Sequence, residues 1–322
     1  MPLNVNEFPF PFNGDTYRYS NNAVPLDPPV CPEVTDDYRE EILLKRNLLS
    51  QNPERCFQSL PHTMEAQWEA VDLIMHELND VYPESFRLVE SGNKRILYNN
   101  LTGEEESFVF GDSQSLSDEP LNMIGRHVQE DLIIMTQRDG DLYLDAGQLC
   151  FPANWSLAFD IGMAFGDIHF PVPELSGSRL LEKIRRFIMR IEPGQPWVRK
   201  NWSLTVDHQL DTPLETSASW GKKKHAMTTE NVGERTHLRV ECQKLFRLPG
   251  SNSILFSIHT HLLPVEALIE NKQWLRRLCS VLEELPNPVA EYKGLAPFRA
   301  TLIEYLQGKM NSDQTNVVEE KN

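Results

Sequence analysis

The sequence predicts an α+β fold, and three observations predict it. Short β-prone runs gather in the middle of the chain, amphipathic helical runs lie at both ends, and no β-α-β alternation joins them. Residues 1–34, rich in Pro, Asn and aromatics, are expected to lie as an extended arm over a surface. A helix is expected from Thr35, with Thr35 as cap, Asp36 and Asp37 in its first turn, and a stripe of Ile42, Leu43, Leu44, Leu48 and Leu49. A second runs from Thr63 to Leu78 on Trp68, Val71, Ile74, Met75 and Leu78. The runs FRLVES, RILYNNL and ESFVFG, parted by SGNK and TGEE, read as an antiparallel meander. A helix is expected over 120–137, then a hairpin in RDGDLYLDAGQLCFP around its Asp-Gly turn. Residues 177–191 form a basic amphipathic helix. Two long strands, 237–248 and 254–265, are joined by PGSNS. Helices over 266–284 and 295–308 close the chain, and the polar residues 309–322 are expected to be a disordered tail.

Composition narrows the function classes. The chain has 322 residues, 40% hydrophobic and 24% charged, which is ample for one large domain core. A net charge of −16 argues against non-specific binding to nucleic acid or to an anionic membrane. The five cysteines are scattered and form no CxxC, which disfavours a structural zinc site or an iron–sulfur cluster built by this chain. Scattered thiols, no membrane-length apolar run and no signal-peptide pattern give a cytoplasmic expectation. No GxGxxG, Walker A, HExxH or GxSxG pattern occurs, so nucleotide-binding, zinc-protease and serine-hydrolase chemistry lack their motifs.

The stretch CFPANWSLAFDIGMAFGDIHFPVPE, residues 150–174, places His169 between Ile168 and Phe170, and Pro171 and Pro173 stiffen the backbone just after it. Two readings stand: a core imidazole satisfied by backbone, or an axial ligand held on an apolar wall, as a b-type haem requires. His127, on the expected helix, would neighbour Glu130 and Asp131 as a surface pair or a site. His259 and His261 alternate along a strand and share one face, as solvent- or cavity-facing imidazoles or as two ligands of one metal. His208 and His237 are candidates by elimination; His62, His76 and His225 read as surface residues. Cys31, in the arm, is a weaker thiolate alternative.

Taken together, CFPANW, IHFPVP, VRKNWSL, LRVECQKLFRLPGSNSILFSIHTHL and VQEDLIIM resemble the family of haem-dependent oxidative N-demethylase alpha subunits. The opening PFNGDTYRYSNNAVPLDPP and DDYREEILLKRNLL is similar to that family too, so the resemblance reaches residue 308. It implies a PAS-like antiparallel sheet with flanking helices, residues 35–308 forming one haem-binding catalytic domain. It also implies haem b, oxidation of a methyl group of a small secondary amine such as dimethylamine by O2, and release of formaldehyde. Electrons are expected from NADPH through a partner reductase subunit carrying FMN and a [2Fe-2S] cluster, with a tetrahydrofolate-binding subunit receiving the one-carbon product. One departure is Cys242, where an Arg is expected.

Methyl oxidation needs a cofactor, since no side chain performs it. The expected ligand is His169, in a slot lined by the run Phe159 to Phe165 and by Phe170. Arg199, Lys200, Arg239 and Arg247 are the expected propionate partners. A dialkylammonium cation would be received by Glu130 and Asp131, or by the aromatic faces of Trp155 and Trp202. A non-catalytic haem-binding PAS sensor and a haemless paralogue are the alternatives.

Overall fold

The structure is a computed structural model that describes residues 8–173 and 175–319. Ten strands are formed: β1 Val24–Pro25, β2 Phe57–Ser59, β3 Phe86–Ser91, β4 Lys94–Asn99, β5 Glu104–Val109, β6 Asp131–Arg138, β7 Asp141–Gln148, β8 Trp197–Val206, β9 Thr236–Arg247 and β10 Ile254–Pro264. Seven of them make one antiparallel sheet in the order β1-β8-β9-β10-β6-β7-β2, and β3-β4-β5 are the expected meander. The fold is α+β. Among the described residues no helix is long and apolar enough to cross a membrane.

The sheet is covered on both faces, and strand alternation decides what each face receives. On one face Leu132, Ile134, Phe246 and Leu255 pack under the helices Tyr38–Gln51 and Met64–Val81 together with Phe86 and Leu97 of the meander. Further along that face Leu204, Leu238, Val240 and Leu263 meet the C-terminal helices and Phe8, Phe10 and Phe12 of the arm. The arm is thus part of the core, and it pairs with β8 through Val24 and Val198. On the opposite face Ile133, Met135, Leu142, Leu144, Leu245 and Ile254 meet Phe165 and the helix Arg179–Ile188. Ser178 caps that helix, its Oγ accepting from the Leu181 amide at 3.2 Å. The turn between β6 and β7 has Asp139 and Gly140 at φ +53° and +75°, the left-handed pair that a tight hairpin needs.

Three expectations are corrected. The helix expected over 120–137 ends at Gly125, and 131–138 is β6. The run Leu132–Met135 is buried on both faces, so its apolar pattern carries no period to separate strand from helix. Thr35 does not cap the first helix, which begins at Tyr38; its hydroxyl accepts from Gln129 Nε2 instead. The last helix runs Arg299–Glu319, past the end expected at 308, while residues 1–7 of the arm and 320–322 of the tail lie outside the described residues.

Candidate functional site

A cavity of about 290 Å³ lies on the face of the sheet that carries Ile133 and Leu245, near the lower end of small-molecule sites. Its floor is apolar: Ile133, Met135, Leu144, Leu245, Ile254 and Ile258. One wall is the helix Arg179–Ile188 with Ile184 and Ile188; another is the segment carrying Phe165, Ile168, His169, Val172 and Pro173. Polar groups converge at the far end: Arg199 and Asn201 from β8, Glu241 and Gln243 from β9, Tyr292 and Lys293 from the C-terminal helices, and Tyr19 and Asn21 from the arm. A more open concavity of about 510 Å³ lies against the same helix, lined by Lys183, Arg186, Arg190 and Trp197, but it brings together no carboxylate–imidazole chemistry.

His169 ends a single helical turn, Phe165–Ile168, and its Nδ1 lies 2.8 Å from the Phe165 carbonyl oxygen. A carbonyl only accepts, so Nδ1 carries the proton and Nε2 keeps its lone pair. Burial holds this imidazole below its ordinary pKa, against the backbone bond to Phe165, and the nearby Arg199 cation adds to the effect. The neutral form is the ligating form. The Phe165 ring lies 4.2 Å from the imidazole and fixes its plane. Arg199 has a buried Nε with no hydrogen-bond partner, and burial lowers its pKa. Burial also pushes Asp160 up to about 6 and Lys293 down to about 8. Lys293 Nζ donates to the Trp202 carbonyl oxygen at 2.6 Å. Glu241 accepts from Gln243 at 2.9 Å and from Asn201 at 3.2 Å.

Of the residues expected to bind iron, propionate or amine, three meet in the cavity, His169, Arg199 and Trp155, together with Phe165 of the expected slot lining. The others do not. Glu130 lies on the opposite face of the sheet, fully buried, 3.2 Å from His259 Nδ1. Asp131 is buried under the amides of Cys150 and Phe151, which donate to it at 2.7 and 2.8 Å. Both fall in the helix expected over 120–137, but Glu130 lies in the bend before β6 and Asp131 opens that strand. Arg239 is spent on the carbonyl oxygens of Leu210 and Phe151, on Thr260 Oγ1 and on the cavity carboxylate Glu241, whose Oε1 lies 3.4 Å from its Nε. Arg247 closes the end of the helix Arg179–Ile188 through the carbonyl oxygens of Ile188, Met189 and Ile191. Lys200 and Trp202 sit on the other face of β8 by strand parity. Phe159 and Phe170, expected to line the slot, are 67% and 72% exposed.

The alternatives to His169 also find places elsewhere. His127 is buried beside Asn99, its Nδ1 at 3.3 Å from the Asn99 amide. Cys31 is buried, with its amide donating to Glu77, and burial raises its thiol far above the ordinary range. Cys242 pairs in register with His259 and Lys200, on the face away from the cavity, so the departure at this position leaves the cavity's own cations untouched. Burial pushes that thiol up to about 11, which keeps it protonated and unreactive.

Sequence reasoning missed Glu241, Gln243, Asp160, Tyr292 and Lys293. The first two carried a signal, because polar residues at alternate positions of an otherwise apolar strand must face something polar. Asp160, a lone acid in an apolar run, carried a weaker one. Tyr292 and Lys293 reach the cavity from a distant part of the chain and carried none.

An antiparallel sheet thus carries an apolar cavity on one face, with the His169 imidazole in its wall and Arg199, whose buried Nε has no hydrogen-bond partner, among its polar lining. Across residues 25–303 the chain matches the family described as haem-dependent oxidative N-demethylase, alpha subunit-like, and it belongs to that family. The donor set fits a haem: an imidazole with Nε2 available, apolar lining for a macrocycle, and a buried cation for a carboxylate.

Proposed function

We propose that this chain is the haem b subunit of an oxidative N-demethylase acting on a small secondary amine such as dimethylamine. The observation that carries the reading is the His169 imidazole, oriented by the Phe165 carbonyl oxygen in an apolar cavity of a chain from this family. His169 Nε2 would ligate the iron, and Arg199 would pair with a propionate. Bound haem would supply the activation of O2 that no side chain can provide.

The remaining work falls to the chain's own groups. Glu241, which also faces Arg239, and Asp160 are the carboxylates that line the cavity, and Trp155 offers an aromatic face to a dialkylammonium ion. The apolar floor excludes water from the reacting methyl group. The overall balance is one amine methyl, O2, two electrons and two protons giving a hydroxymethylamine and water. The hydroxymethylamine then breaks its C–N bond to release formaldehyde and the shorter amine. The electrons would come from NADPH through a reductase subunit carrying FMN and a [2Fe-2S] cluster. A tetrahydrofolate-binding subunit would take the formaldehyde, and the setting would be cytoplasmic with a PAS-like catalytic domain.

Haem-reconstituted protein supplied with NADPH, a flavin and iron–sulfur reductase and dimethylamine is expected to yield stoichiometric formaldehyde. Haem binding with no turnover of any methylamine would leave the non-catalytic haem sensor instead.

A further inference from the structure

The sheet face opposite the cavity holds a second constellation that the N-demethylase reading does not use. His259 and His261, two residues apart on β10, share that face, and their rings stack at 4.3 Å and 12°. Glu33 of the arm lies against both: its Oε2 is 3.6 Å from His259 Nδ1 and 3.7 Å from His261 Nε2. The three ligand atoms all lie within 4.8 Å of one another. Zinc bonds near 2.0–2.1 Å at tetrahedral angles set ligand atoms ~3.4 Å apart, so both measured gaps are within a few tenths of an ångström of a shared ion.

We propose that Glu33, His259 and His261 form a binding site for a divalent transition ion of the zinc class, separate from the haem cavity. The first support is an orphan. His261 Nε2 is buried and has no hydrogen-bond partner, a state that is unfavourable unless something accepts its lone pair or shares its proton. A metal ion does the former. The second support is the surrounding charge. Glu41 and Glu130 approach His259, and Glu130 Oε2 is a further buried oxygen without a partner, while Lys200 and Lys244 are the cations facing the group.

Glu130 lies behind this site and holds the backbone of Glu33. Its Oε1 accepts from the Glu33 amide at 2.8 Å and lies 3.2 Å from His259 Nδ1. The ion would fasten the arm to β10, and that arm brings Tyr19 and Asn21 to the cavity on the other face. Its role is structural.

The test is zinc titration of the chelator-treated full chain by calorimetry, with Co2+ absorption as a second readout and elemental analysis to count metal apart from haem iron. Wild type is expected to take up one equivalent of Zn2+, to show the intense visible bands of low-coordinate Co2+, and to melt at higher temperature with zinc. Glu33→Gln is expected to weaken Zn2+ by more than the ~100-fold upper range for losing an outer-shell partner. His261→Ala should abolish the Co2+ bands, and His225→Ala, on the exposed surface, should change nothing. Should His261→Ala fail to fold, Glu33→Gln decides alone, since that side chain is 41% exposed and its loss leaves the core intact. Wild type without an equivalent of zinc, or Glu33→Gln binding as tightly as wild type, would overturn the site and leave a His259–Glu130 ion pair.

Discussion

Arg247 Nε donates to the Ile191 carbonyl oxygen at 3.0 Å, and the rest of the guanidinium closes the same helix end. A C-terminal helix end leaves its last carbonyls without partners, and a cation there satisfies both the hydrogen bonds and the helix dipole. Arg247 thereby holds the helix that forms one wall of the cavity. Arg247→Ala is expected to cost about 2–4 kcal/mol of stability, since several charged hydrogen bonds are lost from a buried site. Urea unfolding measures it. A loss below ~1 kcal/mol would show that the helix end does not need the clamp.

Arg199 behaves oppositely in the haem-free chain. Its buried Nε has no partner, so Arg199→Met is expected to leave the stability of the haem-free protein unchanged or to raise it. The same change should weaken haem binding by ~10- to 100-fold, the loss of one charged hydrogen bond to a propionate. Titration of the haem-free protein with hemin measures the second effect. An unaltered affinity would remove Arg199 from the propionate role.

Two glutamates separate the cavity from the opposite face. Glu241→Gln is expected to weaken the amine-induced change in the haem spectrum by about 1–3 kcal/mol of binding, the range for a buried charged partner. Glu130→Gln, across the sheet beside His259, should leave that affinity alone. The reverse pattern would move the amine to the face that carries His259.

Asp160 gives a pH dependence with a definite sign. Burial raises its folded-state pKa to about 6, so the folded protein holds this proton more tightly than the unfolded chain does. Its contribution to stability is complete below the unfolded value near ~3.9 and is lost as the pH rises through about 6. Asp160→Asn should therefore match wild type near pH ~4 and exceed it at pH ~8 by ~1–2 kcal/mol, a shift of about two units reduced for partial solvent contact. Chemical unfolding at the two pH values decides it; equal stability at both would mean that the carboxylate is well solvated.

The meander, the central hairpins and the helices were legible because residue type alternates or follows the helical period, as where Leu238, Val240 and Cys242 of β9 alternate with Arg239, Glu241 and Gln243. The same logic failed at Leu132–Met135, where burial on both faces erases the period. That one misreading misplaced Glu130 and Asp131. His169 was legible because an imidazole in an apolar run before two prolines is locally unusual. The propionate partners were not, because Arg199, Arg239 and Arg247 look alike in sequence. Only the fold shows that Arg239 and Arg247 are consumed by backbone carbonyl oxygens. Glu33 could not be linked to His259 and His261 from spacing, since the contact joins the arm to a strand more than two hundred residues on.

His169 as the iron ligand is tested most sharply by the absorption spectrum of haem-reconstituted wild type and His169→Ala, each with and without added imidazole. The expected result is a Soret band in wild type, loss of haem in the variant, and recovery of the band when imidazole fills the space left by the side chain. A variant whose Soret band matches wild type without imidazole would contradict the assignment and move the iron to another ligand.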